Sequence, residues 1–247
     1  MNTKQKTTAL CLSITLAACH LAGAAGPISA CRPAAGDLRI GVQLRGLELD
    51  AYEYDNRDIV ANNALEQENL ILEYGLTDSL FVALRFGTIS WDPAADGGRE
   101  FDEGTSWGFG VGGSIPVYAP ANSDFNVAIG WDFFYDQADP DPLNRTAGDV
   151  FFGDVEWWQT SLAGHCTWRN LCGYVGTRYT QVDLTYSHDS RAGIRRGGFQ
   201  EDEPITFFVG AGATFFDAIV LRGEWQFTDI EAYELSLAYN LPLGGRR

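Results

Sequence analysis

Residues 107–115 read Trp-Gly-Phe-Gly-Val-Gly-Gly-Ser-Ile. Successive side chains of an extended strand point to opposite faces, so Trp107, Phe109, Val111 and Ile115 share one face and Gly108, Gly110, Gly112 and Ser114 the other. One face is bulky and apolar; the other is thin. The same split sets Phe125, Val127, Ile129, Trp131 and Phe133 against Asn126, Ala128, Gly130 and Asp132. Towards the C-terminus, Ile219, Leu221, Trp225 and Phe227 oppose Arg222, Glu224 and Gln226. Tyr233, Leu235, Leu237, Tyr239 and Leu241 then oppose Glu234, Ser236, Ala238 and Asn240. This period-two pattern predicts an all-β protein, and 28 glycines with a single methionine suit strands better than a helical bundle.

A soluble β-sandwich and a membrane barrel both alternate, because one buries its apolar face in a core and the other turns it to lipid. The character of the two faces separates them. The apolar faces here are bulky with aromatics at their ends, whereas the opposite faces mix glycine with charge, as a narrow polar lumen does. Arg39, Arg45, Arg85, Arg178 and Arg222 fall on the inward faces, where Glu73, Glu224 and Glu234 can neutralise them. The expected fold is a closed antiparallel up-and-down transmembrane β-barrel over 31–247, with about ten strands; an eight-strand count requires merging real turns.

The strands are expected at Leu38–Asp50, Ala64–Tyr74, Ser79–Trp91, Thr105–Val117, Asp124–Tyr135, Val150–Gly164, Leu171–Thr185, Ile205–Thr214, Ala218–Phe227 and Ala232–Leu241. Short connections (75–78, 118–123, 165–170 and 215–217) alternate with long ones (51–63, 92–104, 136–149 and 186–204) rich in Asp, Glu, Gly and Pro. Short turns on one side and long loops on the other are the habit of outer-membrane barrels, with the turns periplasmic. The final connection, Thr228-Asp229-Ile230, is short on the long side. A four-residue turn at Gly75-Leu76-Thr77-Asp78 predicts Leu72 opposite Val82, Leu70 opposite Leu84, Asn69 opposite Arg85, Ile71 opposite Ala83 and Glu73 opposite Phe81. Phe81, Phe134 and Phe208 are also expected inward.

Lys4 and Lys6 precede an apolar run from Thr8 to Ala18 and then small residues, so 1–30 reads as a secretory signal peptide with a short N-terminal segment. Ala22-Gly23-Ala24 fits a cleavage site; two other exits compete, since Leu16-Ala17-Ala18-Cys19 and Ile28-Ser29-Ala30-Cys31 resemble a lipobox, making Cys19 and Cys31 candidates for lipidation. Cys166 and Cys172 flank an expected turn and either pair in an oxidising compartment or stay as thiols. A net charge of −16 repels phosphates, which argues against a nucleic-acid partner. Neither the cysteines nor His20, His165 and His188 show metal-ligand spacing, and no cofactor is expected.

Leu72-Glu73-Tyr74-Gly75-Leu76-Thr77-Asp78, residues 156–164 (Glu-Trp-Trp-Gln-Thr-Ser-Leu-Ala-Gly) and residues 173–179 (Gly-Tyr-Val-Gly-Thr-Arg-Tyr) resemble segments of small outer-membrane β-barrel proteins of the porin-like type, related to the OmpA transmembrane domain and the opacity proteins. The resemblance implies a barrel in the cell outer membrane, with its lipids and the outer-membrane assembly machinery as partners and an unknown extracellular ligand. The C-terminus departs from that pattern, because Leu241-Pro242-Leu243-Gly244-Gly245-Arg246-Arg247 replaces the usual terminal aromatic.

Three roles are weighed. The first is a structural barrel or weak small-solute pore with an ion-paired lumen, which is not an enzyme. The second is surface adhesion or cation binding by loop acids, among them Asp136, Asp139, Asp141, Asp149, Asp92, Asp96, Glu100, Asp102 and Glu103, although their spacing matches no calcium-loop pattern. The third is a rim-active hydrolase using His188-Asp189 with Asp183 nearby.

Overall fold

Eleven strands and no helix make up the described residues of the computed structural model, which are 33–53, 56–93, 101–121, 123–142, 150–190, 193–201, 205–227 and 231–243. The strands are β1 (Asp37–Glu53), β2 (Asn56–Thr77), β3 (Leu80–Pro93), β4 (Phe101–Tyr118), β5 (Phe125–Pro142), β6 (Val150–Trp168), β7 (Leu171–Ser190), β8 (Gly193–Glu201), β9 (Ile205–Phe215), β10 (Ile219–Phe227) and β11 (Glu231–Pro242). Ten of them form a ring in chain order, from β1 to β7 and on through β9, β10 and β11, and β11 pairs back on β1 from Asp37↔Pro242 to Glu48↔Glu231. Every ladder in the ring is antiparallel. Closure leaves the ring without an open edge.

The alternation is the one expected of a barrel rather than a sandwich. Val42, Leu44, Leu70, Leu84, Phe109 and Leu237 are all exposed on the outer wall, while Arg39, Gln43, Arg45, Asn69 and Arg85 are buried inside. An aromatic row crowns the apolar belt on the side away from the short turns: Trp107 lies 5.9 Å from Tyr135, and Trp158 stacks on Tyr179 at 5.1 Å. Trp225 and Tyr233 continue the row, and Tyr74, Tyr118 and Tyr239 mark the opposite edge. No helix among the described residues is long and apolar enough to cross a membrane, which says nothing against a crossing by strands.

Two expectations are corrected. The β2–β3 hairpin keeps the expected faces but is shifted by two residues: Leu72 faces Leu84, Leu70 faces Phe86, Tyr74 faces Val82, Ile71 faces Arg85 and Glu73 faces Ala83. The turn is tighter than four residues, because Thr77 pairs with Leu80 and a bulge between Gly75 and Thr77 absorbs the odd residue. The long connections are also largely strand. β1 and β2 run out to Glu53 and Asn56, β5 to Pro142 and β4 from Phe101, and the stretch read as one loop over 186–204 holds the end of β7 and all of β8.

β8 changes the shape of the wall. It pairs with β7 from Asp183↔Gln200 to Ser190↔Gly193, and with β1 at Ala51↔Glu201 to Glu53↔Phe199. β9, β10 and β11 end below that level. The ring therefore passes from ten strands to eight, as β8 takes the place of three. The segment expected to be an export signal, and with it Cys19 and Cys31, lies outside the described residues.

At the tight β6–β7 turn Arg169 has φ 51°, in the left-handed region that costs a residue with a Cβ roughly 1–2 kcal/mol. Its ion pair to Asp124, at 3.8 Å, is largely exposed and adds only a few tenths of a kcal/mol. Arg169→Gly should therefore stabilise the barrel by about 1 kcal/mol, read as a raised urea midpoint in lipid vesicles. An unchanged or lowered midpoint would show that the turn is not strained.

Candidate functional site

The lumen gathers most of the chemistry in three layers. At the turn end, the segment before β1 folds against the inner face of β2: Gly36 N donates to Gly75 O at 2.8 Å and Ala35 N to Asp78 Oδ1 at 3.4 Å. A Cβ on Gly75 would come within 2.0 Å of Ala34 O, so only glycine admits this strap. Pro33 is buried beside it.

The middle layer is a set of arginines held between carboxylates and aromatic rings. Glu73 bridges two of them, taking Arg39 Nη1 at 2.9 Å on one oxygen and Arg222 Nη2 at 3.0 Å on the other. Asp136 Oδ2 accepts from Arg85 Nη1 at 3.0 Å and Trp157 Nε1 at 2.7 Å, with Arg45 Nη1 at 3.8 Å. Arg178 donates to Glu224, and Arg45 to the Gln159 carbonyl oxygen. Glu234 lies within electrostatic reach of Arg45, Arg85, Arg178 and Arg222. Beneath three of the guanidinium groups sits a ring: Trp157 4.4 Å from Arg45, Phe134 3.9 Å from Arg85 and Phe208 4.7 Å from Arg178. The inner glycines of β4 make room for Phe134 and for Phe81, since a Cβ on Gly110 would meet Phe134 at 2.1 Å and one on Gly112 would meet Phe81 at 2.4 Å.

The third layer, at the loop end, is apolar. Leu47, Leu65, Ile89, Trp91, Val155 and Trp157 form one buried cluster with Val182, Leu184, Ala138 and Ala232. Trp91 and Trp157 are its largest members, at 1% and 2% exposure. The charged layer below holds a cavity of about 90 Å³, room for a few water molecules under an apolar roof.

All eight charged residues expected in the lumen point inward, but sequence reasoning missed two parts of the site. Asp136 was expected in an outer acidic loop; it is 2% exposed and sits at the centre of the arginine network. Its parity gave the signal, because Ala128, Gly130, Asp132 and Phe134 alternate inward directly up to it. The apolar roof was missed because its members lie where strands were expected to end. His165, expected in a turn, stands in β6 with its ring 5.7 Å from Tyr174 and its Nε2 over Gly130.

Cys166 and Cys172 are both disulfide-bonded and occupy neighbouring rungs, Cys166 opposite Gly173 and Cys172 opposite Thr167. Among the described residues no group of three or more His, Cys, Asp or Glu side chains could hold a metal ion. The side chains of His188 and Asp189 lie outside the described residues, and so do Asp96, Glu100 and Asp149. Asp183 accepts a hydrogen bond from Gln181 Nε2 at 3.3 Å.

No family model matches the chain, and no curated protein matches its sequence. Solved structures do resemble it in fold. The outer membrane protein OprG from Pseudomonas aeruginosa is 13% identical, with 85% of this chain and 98% of that chain covered and a TM-score of 0.45. The outer membrane protease OmpT from Escherichia coli is 8% identical over 83% and 95%, with a TM-score of 0.44. Ail, the attachment invasion locus protein of Yersinia pestis, is 9% identical over 84% and 99%, with a TM-score of 0.35. Each is a likeness of architecture alone.

Proposed function

We propose that this chain is an outer-membrane β-barrel with a sealed lumen, a structural element of the envelope rather than an open conduit or an enzyme. The exposed apolar belt between two aromatic rows supports a lipid-facing wall, because aromatic girdles mark both edges of the hydrocarbon in such barrels. The expected export signal supports the same compartment.

The observation that carries the sealed reading is the Trp91–Trp157 roof over an arginine layer tied by ion pairs to Glu73 and Asp136. An aqueous channel needs polar walls from end to end, and here ten apolar side chains occupy the loop end. The charges below serve the wall. A buried ion pair contributes little net stability against an apolar alternative, but a mispaired one is costly, so such a network specifies one arrangement of strands.

Planar-bilayer recording tests the proposal. The refolded chain should show a boiling-dependent shift in gel mobility, proving a folded barrel, and no steady single-channel steps. Regular conductance steps from the folded protein would overturn the sealed reading while leaving the barrel intact.

A further inference from the structure

A second cavity, of about 220 Å³, opens on the outer wall at the aromatic row, and nothing in the barrel's structural role requires it. Its lining comes from four strands that meet where the ten-strand wall begins to narrow. Gly46 of β1 stands between Tyr233 on one side and Glu66 on the other, Trp225 is the next residue beyond Tyr233, and Glu48 lies one step towards the loop end. The Tyr233 ring folds over Gly46, where a Cβ would meet Cε1 at 2.3 Å. Ala64 of the outer face completes the floor, together with the chain at Leu47, Leu65 and Ala232, whose side chains turn inward to the apolar cluster.

We infer that this cleft is a binding site for an organic cation, an ammonium carrying alkyl or aryl groups. Three independent features converge on that chemistry. The cleft is large enough, because an apolar cavity of roughly 150 Å³ already takes up a benzene-sized molecule. Its walls include Trp225 and Tyr233, both about half exposed, and the faces of Trp and Tyr attract alkylated ammonium groups through the ring quadrupole. Its rim carries two exposed carboxylates, Glu48 and Glu66, which have no ion-pair partner among the described residues. No lysine, arginine or histidine lines the cleft, so an anionic or phosphate-bearing head is repelled. A small inorganic cation gains little from the apolar floor, whereas a weakly hydrated ammonium with an attached ring or chain uses floor, walls and rim together. The site does not depend on whether the lumen conducts.

The test uses the full refolded chain in maltoside micelles, which contain no ammonium of their own. Benzyltrimethylammonium and its uncharged carbon analogue, neopentylbenzene, are compared by ligand-observed NMR and calorimetry, with the boiling-dependent gel shift as a fold control. Saturable binding of the cation, and only micelle-like partitioning of the analogue, is expected. The Glu48→Gln/Glu66→Gln pair, and separately Trp225→Leu, should weaken the cation about tenfold each. Equal uptake of the uncharged analogue, or undiminished cation binding by either folded variant, would overturn the assignment. If one variant fails to fold, the other and the comparison of the two probes still decide.

Discussion

An Asp136→Asn barrel should lose about 3–5 kcal/mol of stability to urea, as removal of one partner from a buried ion pair does. The Asp136 carboxylate is 2% exposed and receives Arg85 and the Trp157 indole on one oxygen, with Arg45 nearby. Asparagine keeps the shape but removes the charge, leaving two buried guanidinium groups facing a neutral amide. Glu156→Gln is the matched control, since Glu156 is exposed on the outside of β6 and should change stability by no more than about 0.5 kcal/mol. Equilibrium unfolding in lipid vesicles, followed by tryptophan fluorescence and gel mobility, reads both. A loss below about 1 kcal/mol for Asp136→Asn would mean that the network reorganises around the missing charge, contrary to its role in fixing strand arrangement.

Trp91→Ala should cost a similar amount, about 3–5 kcal/mol, although Trp91 lies beyond the aromatic row. It is 1% exposed in the apolar cluster, and that cluster is covered by a wall whose outer surface meets water. The hydrophobic effect therefore acts on it in full, and truncation leaves a cavity that the other nine members of the cluster cannot close. Trp107 is the instructive contrast. It is 45% exposed on the belt, so its truncation leaves no enclosed cavity and lipid chains fill the space. Trp91→Ala should thus lower the urea midpoint at least twice as far as Trp107→Ala. Equal shifts would show that the loop-end cluster is not an independent core.

The wall was legible in the sequence and the upper lumen was not, for a physical reason. Within the belt each strand must present bulk to lipid and small or paired groups inward, so every second residue reports its face; Trp107 to Ile115 could be placed from their order alone. Above the belt the outer face meets water, polar residues fill it, and the pattern thins to an inward apolar residue every second position. Ala138 is such a residue, set between Asp136, Gln137 and Asp139 in a stretch that reads as loop, while Leu65 and Val155 stand near the ends of their expected strands among Asn, Asp, Glu and Gln. The charges of the lumen could be assigned to the inside by parity, but which carboxylate meets which arginine depends on register. Glu73 meets Arg39 across the β1–β2 ladder, where the two are opposite, yet reaches Arg222 across the barrel, which no local pattern encodes.

Parity also has a blind spot that the folding chain itself must resolve. A ladder displaced by two residues keeps every side chain on its proper face, so alternation cannot distinguish it from the native pairing. The β1 edge breaks that degeneracy by being divided between two partners, β11 as far as Glu48 and β8 from Ala51 to Glu53. A β11 displaced two residues one way would bring 228–230 onto rungs that β8 already occupies. Displaced the other way, it would leave Leu47 and Glu48 with empty hydrogen-bonding positions on that edge. The narrowing of the wall thus arbitrates the final closure, admitting one alignment of the last strand from a set that hydrophobicity alone would treat as equals.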